Sequence, residues 1–208
     1  MAYPQSCKIA LKEWAVAVRA LDRGRQVVLL RKGGIREEGK EFRVIYPQFL
    51  LYPTFEHQNE ALLKPEAHEE LRRTIAEAPG PDQVTFTHWA QVEEVIELTE
   101  QERLDRMEAC HIWTNDYAQK RLHWKPRKPL AVMLIRVYRM EHPVTRPVLP
   151  EYSGCKSWVE LDREVPLSGL TPVLSDAEFQ GRVRQVKEAL GLVPSGAAAD
   201  LPGAGGDA

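Results

Sequence analysis

Residues 31–34 and 52–58 carry the side chains whose types and spacing suggest chemistry. Arg31 and Lys32 precede Gly33 and Gly34, and Tyr52, Pro53, Thr54, Phe55, Glu56, His57 and Gln58 close an apolar run. A Gly-Gly pair permits positive φ or close backbone approach. Arg and Lys beside it offer contacts to anions. Thr, Glu, His and Gln add donors and acceptors. The two stretches read as parts of one binding surface, joined by a third at Tyr152–Trp158, where Gly154, Cys155, Lys156 and Trp158 stand close together.

A fourth stretch, residues 111–128, interleaves Trp113, Tyr117 and Trp124 with Lys120, Arg121, Lys125, Arg127 and Lys128. Aromatic rings can stack on exposed bases while the cations contact phosphates. The alternative is that the tryptophans pack inward and the cations remain solvated. On the first reading, Arg31, Lys32, Arg121 and Lys125 hold phosphates. Trp113, Trp124 or Trp158 stacks on a base, and His57 and Gln58 read it.

Three other chemistries are weaker. Gly34 to Lys40 satisfies G-x-x-x-x-G-K, but Glu41 follows where a P-loop needs Ser or Thr, and the next residues are strand-like. Glu38 and Lys40 match E-x-K, with Asp22 upstream, as in metal-assisted nucleases. A glycine-flanked turn would hold such groups loosely. Cys110 and His111 lack the paired spacing of a structural zinc site. No metal or cofactor is expected. Cys155 beside Lys156 is a candidate nucleophile, and Gly154 at a special φ in a plain turn is the simpler reading.

These loops need elements to hold them. Residues 14–21 read as a strand, 22–25 as a turn and 26–31 as its hairpin partner, with a helix over 8–21 as the rival. Residues 42–51 are β-rich, with Pro47 marking an edge or bulge. A helix is expected over 65–78, opened by Pro65 and stopped at 79–81. Strands follow at 83–87 and 91–98, then a helix to about residue 109 capped by Thr99 and Glu102. Residues 130–140 form the strongest strand, and 157–161 a short one. Ser175 and Glu178 cap a last helix ending near Gly191. Irregular interleaving of strands with about three helices suits an α+β domain with a curled mixed sheet or small barrel. Residues 1–191 are expected to form one globular domain, and 192–208 a disordered tail.

Composition narrows the class. Of 208 residues, 43% are hydrophobic and 28% charged, as in a soluble globular protein. The net charge of -2 hides basic blocks at 1–50 and 111–147 around an acidic one at 51–110. Were the basic blocks to meet, they would form a positive face. No apolar run is long enough for a membrane span and no signal peptide is evident. Three cysteines suit a reducing cytoplasm, so a cytoplasmic location is expected.

The segments LKEWAVAV, LLRKGGIREEG, FLLYPTFEHQ, HIWT and YSGCKSWVEL, in this order, resemble the bacterial DUF1802 family, a domain of unknown function, over residues 8–190. The positions carrying the resemblance include Arg31, Lys32, Gly33, Gly34, Pro53, Thr54, His57, Gln58, Gly154, Cys155, Lys156 and Trp158. The resemblance implies a DNA-related or restriction-modification setting, with a restriction-type protein as a possible partner. The LLRKGG turn and the later LAVMLIRVYRM strand are also distantly similar to ASCH and other PUA-like barrels, folds that grip nucleic acid or modified bases in a cleft. The expectation is therefore a protein that binds nucleic acid, DNA or RNA. The alternatives are a small nucleic-acid-processing enzyme using His57, Glu56 or Cys155, and an interaction adaptor in a defence system.

Overall fold

The computed structural model describes residues 3–32, 35–38, 41–44, 46–56, 58–123, 129–154 and 156–193, with backbone alone for 35–38 and 41–44. Gly33, Gly34, His57, Trp124, Lys125 and Cys155 lie outside the described residues, as does the stretch expected to form a tail from 194 onward.

The first element is strand β1 (Ser6–Trp14), and helix α1 (Ala15–Asp22) follows without a loop. This replaces the strand expected over 14–21 and shortens the rival helix to its second half. The reason lies in the alanines. In α1 Ala15, Val16, Ala17, Val18, Ala20 and Leu21 are all buried, so the alternating sequence WAVAVRAL fills a nearly all-apolar helix rather than a half-buried strand. The presumed hairpin turn at 22–25 is the helix C-cap. Gly24, at φ +62°, donates to Leu21 O, and Arg25 donates to Ala20 O, the Schellman pattern.

Strand β2 (Val28–Arg31) therefore has no hairpin partner in residues 14–21 and pairs with β7 (Leu130–Pro147) instead. A small antiparallel hairpin, β3 (Ile35–Glu38) and β4 (Glu41–Val44), stands apart from the main sheet. A strand and not a helix thus follows Lys40, so the G-x-x-x-x-G-K run has no helix N-terminus for a phosphate. Pro47 separates β4 from β5 (Gln48–Thr54), where one β-rich run was expected. Helix α2 (Pro65–Ala76) opens on its proline as expected.

Strand β6 (Gln83–Leu98) is continuous through the buried residues His88, Trp89 and Ala90, where two strands were expected. Helix α3 (Gln101–Arg106) is N-capped by Glu100, with no side-chain capping bond, so the Thr99 capping box does not form. Helix α4 (Asn115–His123) carries the aromatic-basic stretch. Strand β7 (Leu130–Pro147) runs seven residues beyond its expected end. Strands β8 (Trp158–Pro166) and β9 (Thr171–Pro172) precede helix α5 (Asp176–Ala189), whose Ser175–Glu178 capping box is present.

The main sheet runs β2-β7-β6-β5-β1-β8, with β9 on β7. The β1–β5 pair is parallel and the others antiparallel, so the architecture is the expected α+β with a mixed sheet, flanked by five α-helices rather than three. The sheet curls. Arg31 on β2 reaches the main-chain oxygen of Lys12 on β1, four places away in strand order. Leu11, Leu29, Phe49, Leu51, Met133 and Ile135 fill the face between, closed by Val18 and Leu21 of α1. Helices α2 to α5 cover the β2–β7 side of the sheet around Val28, Leu30, Val132 and Leu134. Tyr152 and residues of β8 cover Ala10, Leu50, Tyr52 and Trp89 on the other side.

Candidate functional site

The described part of the expected surface gathers at the C-terminal ends of β1, β2 and β5. Its centre is a buried ion pair in which Arg31 Nη1 lies 3.1 Å from Glu13 Oε2. Thr54 Oγ1 donates to Glu13 O at 3.1 Å, and Gln58 Oε1 accepts from Val16 N at 3.0 Å on the first turn of α1. Lys32 is buried and donates to Leu122 O, and burial lowers its pKa. Arg121 bonds the Tyr117 hydroxyl at 2.6 and 2.8 Å.

These placements revise the roles assigned from sequence. Arg31 and Lys32 are 7% and 6% exposed and spend their charge on internal partners, not on an open phosphate site. Trp113 is 2% exposed, stacked on Tyr117 at 4.4 Å with Trp14 against it at 5.0 Å. Its faces are filled, so it offers no stacking platform. The signal misread as base recognition is an aromatic core under a helix with a polar outer side. Trp158 lies apart, against Phe49 at 5.1 Å and Tyr46 at 5.3 Å. Lys156 is exposed and bonds Glu151 O. Lys12 links the groups, since its main chain meets Arg31 and its ammonium meets Tyr152 O and Gly154 O.

Cys110 and His111 are both buried. Burial raises the Cys110 thiol pKa and pushes the His111 imidazole down to about 4, with the Lys64 charge adding to it. Among the described residues no group of three or more His, Cys, Asp or Glu is placed to hold a metal ion.

An open concavity lies elsewhere. A cleft of about 430 Å³ lies between α1, the end of β5, α2 and the β6–β7 ladder. Pro53 and Phe55 of the expected surface face it, while Thr54 between them faces Glu13, as the strand period of two requires. Ala15, Val18 and Met140 complete apolar walls, and Arg19, Asp22, Thr85, Thr87, His88 and Arg139 supply polar groups.

These polar groups form a directed chain. His88 Nε2 lies 2.8 Å from Asp22 Oδ1, and Thr87 Oγ1 lies 2.7 Å from His88 Nδ1. Arg139 Nε donates to the same Asp22 oxygen at 2.6 Å, and its Nη2 donates to Asp22 O. The hydrogen bond from His88 holds the Asp22 carboxyl at about 2, helped by Arg139 and opposed by burial. An ionised carboxylate only accepts, so His88 presents N–H to it through Nε2. In the neutral imidazole Nδ1 is then an acceptor, and the Thr87 hydroxyl must donate to it.

Two local features build this chain. Asp22 ends α1, where the helix dipole disfavours a carboxylate, and Arg139 and His88 offset that cost. Opposite Thr87, the ladder skips from Val144 to Arg139, so Met140–Pro143 bulge from β7 against one residue of β6. Pro143 has no N–H to give the ladder. The irregularity re-aims neighbouring side chains, which lets consecutive residues Thr87 and His88 meet. No local motif marks this site, because Asp22, His88 and Arg139 are far apart in sequence. The available signals were Asp22 and a Thr-His pair at the end of the strand expected over 83–87.

The family model named Domain of unknown function (DUF1802) matches residues 10–185. The chain belongs to this family. No curated protein matches it. Among solved structures, this DUF1802 chain is similar to the ASCH protein of Zymomonas mobilis, at 13% identity over 85% of this chain and 93% of that one, with a TM-score of 0.39. A Ser-to-Ala mutant of the same protein aligns at 14% identity over 88% and 98%, TM-score 0.39. A Tyr-to-Phe mutant aligns at 11% over 85% and 96%, TM-score 0.38. The expected family and the distant ASCH resemblance both have their counterparts here. No helix among the described residues is long and apolar enough to cross a membrane.

Proposed function

We propose that this domain binds nucleic acid and takes one unstacked nucleotide into the cleft between α1 and the β6–β7 ladder. The observation that carries the reading is the composition of the cleft. Its volume suits a small organic ligand. Phe55, Pro53 and Met140 offer apolar faces to a flat base. Asp22, held ionised, and the Thr85 and Thr87 hydroxyls line the same cleft and are the polar groups that would read a base edge. Among the described residues Asp22 Oδ2 has no hydrogen-bond partner, so it can accept from an amino group. Arg19 and Arg139, 42% and 47% exposed, are the cations for the flanking phosphate.

Arg19 is tied to Glu77 at 2.5 Å in an exposed pair, a contact of little strength that a phosphate can replace. The adaptor alternative would be favoured by an exposed apolar patch. Among the described residues the large exposed hydrophobics are Tyr3, Ile75 and Leu192, in three separate segments. The restriction-modification setting is carried by the family resemblance alone, so duplex DNA belongs among the probes.

The test is fluorescence anisotropy with single-stranded and duplex DNA and RNA over a salt series. Binding should weaken steeply with salt, and Arg19→Ala should flatten the slope by about one phosphate contact. Phe55→Ala should weaken single-strand binding by roughly 1–3 kcal/mol with the slope unchanged. Absence of binding to every probe at low salt, or binding that both variants leave intact, refutes this placement.

A further inference from the structure

We propose that Thr87 is a nucleophile, that His88 is its general base, and that the cleft performs acyl transfer on carboxylic esters. The inference shares the cleft with the binding reading but not its ligand, and it stands if no nucleotide enters.

The geometry is that of an oriented base beside a hydroxyl. Thr87 Oγ1 is 2.7 Å from His88 Nδ1, within proton-transfer reach, and in the neutral ring, with Nε2–H donated to Asp22, the bond runs from hydroxyl to ring. The far ring nitrogen is fixed by Asp22 at 2.8 Å, and Asp22 is itself fixed by Arg139 at 2.6 Å. His88 is 7% exposed, so its ring is held by packing as well. The ring is used in the order its place on the strand allows. Nδ1, nearer the backbone, meets the adjacent residue, and Nε2 reaches across to α1. Thr87 lines the cleft, and its β-branched side chain restricts the direction of its hydroxyl.

The chemistry balances with these groups alone. Thr87 Oγ attacks the ester carbonyl carbon as its proton passes to His88 Nδ1. The imidazolium so formed lies against the Asp22 carboxylate. The bond from carbonyl carbon to the alcohol oxygen breaks, and the leaving alcohol takes the proton back from Nδ1. Water then attacks the acyl-threonine, giving a proton to Nδ1. The acid departs and that proton restores the Thr87 hydroxyl. Arg19, lining the same cleft, is the donor for the developing oxyanion. Ala15, Val18 and Phe55 offer an apolar surface to the acyl chain.

The test uses the full chain with p-nitrophenyl acetate and a fluorophosphonate probe, followed by peptide mass spectrometry. Wild type should release p-nitrophenolate and carry the phosphonyl adduct on Thr87. Thr87→Ser should keep both. Thr87→Val, with circular dichroism and Tm recorded to establish folding, should lose both. His88→Gln should lower turnover by about 10²–10⁴-fold. Failure of the wild-type protein to form an adduct on Thr87 overturns the proposal without recourse to a variant. So does turnover that Thr87→Val leaves unchanged. Neither result bears on nucleic-acid binding, which the anisotropy series reads separately.

Discussion

Asp22→Asn isolates the electrostatic part of the cleft, because the amide keeps the shape and one acceptor oxygen while removing the charge. The Asp22 carboxyl is held at about 2 against an ordinary 3.8. At about 1.4 kcal/mol per tenfold change in proton affinity, that displacement corresponds to roughly 2 kcal/mol of folding stability. The side chain is 23% open to solvent, which reduces the expected loss to about 1–2 kcal/mol. The sign follows from the depressed value. The contribution is complete above the unfolded carboxyl's range near 3.8 and disappears as pH falls through 2. Urea unfolding of wild type and variant should differ by the full amount near pH 5, by roughly half as much at pH 3, and hardly at pH 2. Taking the difference cancels other carboxylates, such as Glu60 and Glu178, whose pKa values are also lowered. A gap that stays constant down to pH 2, or equal stability at pH 5, would refute the network as a charged one.

Two stability predictions concern the rest of the fold. Arg31→Met leaves the Glu13 carboxylate buried beside no counter-charge and should cost about 3–5 kcal/mol, most of it restored when Glu13→Gln is added. Chemical denaturation of both single variants and the double variant gives the coupling. Gly24→Ala forces a side chain onto a +62° φ and places its Cβ 2.5 Å from Leu174 Cδ2, so it should destabilise by about 1–3 kcal/mol, measured in the same way.

Legibility followed the range of each signal. Pro65 and the Ser175–Glu178 pair are local chemistry, and both helices begin where those residues place them. The apolar run of β7 was plain because long β-rich segments leave few alternatives. The β1–α1 junction was not, because WAVAVRAL alternates like a strand and only tertiary burial on all sides makes it a helix. The aromatic-basic stretch was overread for a related reason. Trp113 and Tyr117 lie four apart on one face of α4 and its approach, a core spacing that composition alone does not distinguish from a stacking surface. The Pro53–Phe55 stretch divides between two faces, Thr54 toward Glu13 and its two neighbours toward the cleft. The Thr87–His88–Asp22 chain depends on a bulge and on the curl of the sheet, neither of which leaves a local mark.

The pairing of β1 has a consequence for synthesis. Leu11 sits opposite Trp158, so one edge of this early strand stays open until β8 has been translated. At roughly 5–20 residues per second, the wait is on the order of ten to thirty seconds. An open apolar edge on a nascent chain invites pairing with neighbouring chains. Lys8, Lys12 and Glu13 interrupt that edge, and in the finished domain each charge has a use: Lys8 pairs with Glu160, Lys12 meets the 152–154 loop, and Glu13 receives Arg31. The charges that anchor the folded strand are thus also those that shield it on the ribosome. Neutralising Lys8 and Lys12 should therefore lower soluble yield during expression by more than it lowers the stability of the purified protein.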